Sequence, residues 1–223
     1  MTPLPPSRVV PRSALATLVC LCGAVVPAFA AMGVVNRFLP ALAERAGPVL
    51  FYVFVLVFSM LGGWVWARVL ARVTGRPDAR RIAAGGALGF GLAMPVALAG
   101  LTAAESELMR LAMEGREVPA HLAFGVLFAA AVFGVVGATT LLLGLGAGSA
   151  GAAARLALRC AGAATLVFMC VNLGFDLAGW RVGAPRAEER FTMLVVTAVG
   201  VVGAALVGGG VLGRALAGPR PTA

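Results

Sequence analysis

Apolar residues in this chain come in unbroken runs of roughly 20 residues, separated by short segments that hold most of the charge. The runs show no period-2 alternation, so they predict helices and not the strands of a membrane barrel. A helix needs about 20 residues to cross the hydrocarbon core of a bilayer. The pattern therefore predicts six transmembrane helices, over 13–35, 49–67, 82–102, 120–147, 156–180 and 191–212. The expected fold is an all-α, polytopic integral membrane bundle. One six-helix domain covers 13–213, between tails at 1–12 and 214–223.

Composition agrees with that pattern. Of the 223 residues, 61% are hydrophobic and 12% charged, and the mean hydropathy is +0.98. A soluble domain of this size needs more polar surface than these residues supply. A net charge of +9 would suggest nucleic acid in a soluble protein. Here the basic residues flank the spans, so no nucleic acid is expected, and their partner is the bilayer with its anionic lipid headgroups. All 18 basic residues are Arg, which excludes chemistry that needs a lysine amine.

Charge also predicts orientation. With the N-terminus in the cytoplasm, the cytoplasmic segments hold eleven Arg and one acid, Asp78. The opposite side holds seven Arg and eight acids. The positive-inside rule then places both termini in the cytoplasm, in an inner-membrane, multi-pass topology. Trp64 and Trp66 are expected at the inner interface, and Tyr52 and Trp180 at the outer one. A rival exists at the N-terminus. Arg8 and Arg12 precede an apolar run through Ala28-Phe29-Ala30, which has the spacing of a signal-peptidase site after Ala30. The uncharged run continues to Val35, which favours a retained span.

Burial from water cannot drive helix association in lipid, so close packing at small residues must. Gly85 and Gly89, Gly144 and Gly148, and Gly209 and Gly213 each form a GxxxG pair. They predict a compact or self-associating bundle with spans three, four and six in close contact. Pro27 and Pro95 are expected to kink spans one and three. Residues 103–117 extend span three as a helix with an Arg110–Glu114 pair. A straight continuation would overshoot the bilayer, so it should bend at Pro95 or lie along the surface. Residues 36–48 suggest a short re-entrant or interfacial segment.

Polar residues within spans are the candidates for chemistry. Asn172 and Asp176 are four apart and share a face of span five. His121, Glu105 and Tyr52 lie at similar depth and complete a possible substrate or ion site in the outer half. Against this stands an ordinary pairing of Asp176 with an outer arginine. Arg68, Arg72, Arg76, Arg80 and Arg81 form an inner cluster that would anchor on anionic lipid or dock a partner. Cys20 and Cys22 point some 200° apart on a helix, and His121 is the only histidine, so neither a metal site nor a cofactor is expected. Sequence motifs for phosphate loops, hydrolase elbows and zinc proteases are absent, so an enzyme is the weakest expectation.

In size and helix count alone, the chain is similar to small substrate-binding membrane subunits of multi-part importers. The expectation is therefore a small transporter, permease or the membrane subunit of one, with a polar site around Asp176. The alternative is a structural or assembly subunit of a larger membrane complex, with homo-oligomers or partner membrane subunits possible in either case.

Overall fold

The structure, a computed structural model, describes residues 6–114, 120–178 and 186–217, with side-chain surroundings for 8–107, 110, 113–114, 125–175, 177–178 and 195–217. These form six helices: α1 (Pro6–Phe38), α2 (Pro40–Val73), α3 (Ala79–Met113), α4 (Ala120–Ala147), α5 (Ala150–Leu177) and α6 (Arg186–Ala217). All six are long and apolar enough to cross a membrane. The all-α, six-span expectation holds, and α4 has the bounds that hydropathy gives it.

Helices α1, α2, α3 and α6 outrun their apolar segments at both ends, and α5 at its start, because helix propensity continues after hydropathy stops. α2 begins at Pro40, well before Val49. Pro40 disfavours helical backbone at Leu39, which takes φ −134° and ψ 56°. As the first helical residue, Pro40 also lacks an N–H that would have had no partner there. Residues 36–48 are thus the corner between two helices and not a re-entrant segment. α3 likewise runs unbroken through Pro95 to Met113, and Arg110 pairs with Glu107 and Glu114 on its exposed end. At 1.5 Å per residue, 35 residues make a rod of about 50 Å, so α3 must tilt or project beyond the bilayer.

The link from α2 to α3 is a Schellman turn. Arg76 N–H donates to Ala71 O (2.9 Å) and Gly75 N–H to Arg72 O (3.3 Å). Gly75 takes φ 68°, a conformation that costs a residue with a Cβ roughly 1–2 kcal/mol. Arg76 Nε then donates to Leu216 O in the last turn of α6 (3.0 Å). This satisfies a carbonyl that the helix end leaves without an intrahelical partner, and places a cation at the negative end of its dipole.

Each helix packs against its neighbours in sequence, and α1 closes the ring on α6. One end of the bundle carries the start of α1, the α2–α3 and α4–α5 links and the end of α6, together with Arg8, Arg12, Arg68, Arg72, Arg76, Arg80, Arg81, Arg155, Arg159 and Arg214. Near this arginine end all six helices converge on one core. Trp66, Leu70, Ile82, Leu143, Cys160 and Leu212 form its centre, and Ala16 and Cys20 of α1 pack against it.

Glycines set how closely the helices approach. A Cβ on Gly85 would strike Leu142 of α4, and one on Gly89 would stand 2.7 Å from Thr139 Cα. Gly63 and Gly86 bring α2 and α3 into backbone contact. The predicted proximity of spans three and four is therefore correct. For span six the prediction fails. Gly209 and Gly213 meet Thr17 and Ser13 of α1, while Gly200 and Gly203 pack on α5. Ser13 and Thr17 have the same four-residue spacing, so two small-residue faces interlock at the α1–α6 seam.

Candidate ligand cavity

Farther from the arginine end, the helices separate. Phe168 and Ala164 of α5 pack with Ala129 of α4 and Ala204 of α6. This draws α5 to one side. Between the remaining five helices lies a cavity of about 400 Å³. Such a volume falls within the range that holds small molecules.

The walls follow from the sequence. Leu21 and Val25 come from α1, Phe90 and Met94 from α3, Val132 and Val135 from α4, and Val201 and Ala205 from α6. Trp66 of α2 borders the cavity and belongs to the core that seals the arginine end. It is only 7% exposed, and its Nε1 donates to Thr17 Oγ1 (2.8 Å). Trp66 is thus a buried core residue, not the interfacial anchor that the sequence suggests. Trp64 does face outward, with the Arg68 guanidinium 4.3 Å from its ring centre.

Polar groups on the wall are already engaged. Thr17 Oγ1 donates to Ser13 O (2.8 Å), Thr139 Oγ1 to Val135 O and Thr140 Oγ1 to Val136 O (both 2.6 Å). Intrahelical back-bonding of this kind is the usual fate of threonine in an apolar helix. A ligand acceptor placed here would find every hydroxyl and indole hydrogen committed. Leaving a buried polar group unpaired costs roughly 1–3 kcal/mol, so the walls select for apolar surface. The thiols of Cys20 and Cys22 also line the cavity. Among the described residues no group of three or more metal-ligating side chains forms.

Of the polar set expected around Asp176, three members have described surroundings. Asn172 is buried, 5% exposed, and its Nδ2 donates to Phe168 O (2.8 Å). It packs at the α5–α6 contact, 3.2 Å from where a Cβ on Gly200 would stand, and is not part of the cavity wall. Glu105 is exposed on α3. Tyr52 is half-buried on α2, edge-on to Phe51, with ring centres 5.7 Å apart. The side chains of Asp176 and His121, and all of Trp180, lie outside the described residues. The described members of the set thus stand on three separate helices, and none of them lines the cavity.

Within the arginine cluster the roles divide. Arg76 is committed to Leu216, and Arg68 lies over Trp64. Arg72, Arg80 and Arg81 are exposed.

The cavity is the feature that sequence reasoning missed. Its wall residues read as ordinary apolar span residues, and a void between helices leaves no mark in any single one of them. Comparison of the chain with protein-family models, curated proteins and solved structures finds no match.

Proposed function

We propose that this chain is a small membrane transporter, or the membrane subunit of one, which holds a small molecule in its central cavity. It sits in the inner membrane with both termini in the cytoplasm. The observation that carries the proposal is the cavity itself, walled by five helices and sealed at the arginine end by a core to which all six contribute. The gathering of arginines at the end where α1 starts and α6 finishes supports the orientation.

Native mass spectrometry of the protein in mild detergent tests this. The expected result is one chain, or a homo-oligomer, that retains a small molecule through purification. An empty chain bound stoichiometrically to another membrane protein would instead support the alternative of a structural or assembly subunit. That alternative calls for an outward helix face of small residues. The outward face of α5 carries Leu158, Leu166 and Leu173, more than half exposed, which suits lipid better.

Asp176 lies one helical turn beyond buried Asn172 and belongs to the proposal as a coupling carboxylate near the far end of the bundle. Asp176→Asn is expected to abolish the pH dependence of transport in reconstituted vesicles. It should leave ligand retention unchanged, because no described side chain of α5 lines the cavity. Full pH-dependent transport by the variant would remove ion coupling from the proposal.

A further inference from the structure

The α1–α6 seam is closed at one end and open at the other. Near the arginine end, the stripe Ser13–Thr17 of α1 interlocks with Gly209 and Gly213 of α6. Continued along each helix at three- or four-residue spacing, these stripes reach Leu21 and Val25 on α1, and Ala205, Val202 and Ala198 on α6. Those residues line the cavity. On α6, Val202 (38%) and Ala198 are also exposed; on α1 the exposed lining residues are their neighbours in the wall, Cys22 and Val26 (63%). The two helices therefore diverge above Thr17 and Gly209 and leave a slot that leads into the cavity.

The depth of the slot decides what can enter it. From Thr17 to Val26 the slot extends about 14 Å along α1, and from Gly209 to Ala198 about 17 Å along α6. It begins only five residues, or about 8 Å, beyond Arg12 and Arg214. A hydrocarbon core about 30 Å thick, entered near those arginines, puts the whole slot among acyl chains and not at headgroup or water level.

We propose that the slot is a lateral portal through which an uncharged hydrocarbon chain, already dissolved in the bilayer, loads the cavity. This deepens the proposed function and rests on it. The walls offer a headgroup no free hydroxyl or indole hydrogen, only the weakly donating thiols of Cys20 and Cys22, so the chain portion of the ligand is what the cavity holds. Two sources share that chemistry: an acyl chain of a bilayer phospholipid, or the chain of a free lipophile such as an isoprenoid.

Trp66 is a built-in reporter, since it borders the cavity but is shielded from surrounding lipid. The test uses the full chain with Trp64→Phe and Trp180→Phe, leaving Trp66 as the sole tryptophan, in vesicles whose phospholipids carry dibrominated acyl chains. The expected result is loss of most of the Trp66 emission. It should be restored by Ala198→Phe with Val202→Phe, or independently by Val26→Phe on the facing helix, since either would block the slot. Quenching by a dibrominated isoprenoid in unbrominated vesicles, saturating at one per chain and exceeding that by brominated phospholipid, would assign the ligand to the free lipophile. The reverse order would assign it to the phospholipid. Quenching by aqueous acrylamide but by neither brominated probe would overturn the portal and leave the cavity reading intact. Quenching unaffected by both blocking variants would also overturn the portal. No quenching by any probe would overturn portal and cavity together.

Discussion

Gly213→Leu is expected to lower the midpoint of thermal unfolding in detergent by on the order of 10 °C, from an overpacking cost of about 1–3 kcal/mol or more and a few degrees per kcal/mol for a chain of this size. A Cβ at this position already collides with the Ser13 side chain, and the next contact is Val9 Cγ1 at 3.6 Å. Neither α1 nor α6 can yield cheaply. Ser13 Oγ donates to Val10 O, and Thr17 links Ser13 O to the Trp66 indole of α2. Pushing α1 outward therefore disturbs two seams at once. Gly162→Leu supplies the control, because Gly162 faces open space on α5 and should shift the midpoint little. Fluorescence-detected size exclusion after heating measures both. Equal midpoints for the two variants would mean that the α1–α6 seam does not hold the ring closed.

Ala131→Phe is expected to abolish ligand retention and leave the fold intact. Ala131 lines the cavity from α4, so a phenyl ring there occupies volume that is otherwise free. Filling a void adds dispersion contacts, and stability should hold or rise slightly. The ligand would lose the same volume. At least about tenfold weaker retention, or 1.4 kcal/mol, is expected from mass spectrometry of the purified variant. Unchanged retention at unchanged stability would place the bound molecule elsewhere on the protein.

Much of the scaffold was legible in the chain. Hydropathy located six spans, because a lipid-facing helix must be apolar over its whole crossing whatever it packs against. Gly209 and Gly213 were legible as a site of close approach, but their partner was not. The GxxxG spacing states that a neighbour comes near and is silent on which neighbour. The complementary signal was present in Ser13 and Thr17, whose small side chains repeat the same interval. Trp66 was misassigned because an interfacial tryptophan and a core tryptophan near a span end look alike until Thr17 is placed beside the indole. The polar set around Asp176 was assembled from similar depth alone. Depth leaves the position around the ring undetermined, and Asn172 turns toward α6 while Glu105 and Tyr52 sit on α3 and α2. The cavity depends on α5 docking through Phe168 to one side, a long-range outcome that no local pattern records.

The closure of α1 onto α6 has a consequence for chain connectivity. Every helix neighbours the next in sequence, and the last neighbours the first, so the order of packing is cyclic. The start of α1 and the end of α6 lie side by side, with Val10 Cγ1 3.4 Å from where a Cβ on Gly210 would stand. A circular permutant that joins these ends by a short linker and opens the chain between Gly148 and Ser149 would retain all six seams. Its first synthesised helix would be α5 and its last α4, so the Ser13–Gly213 seam would form between helices made in succession.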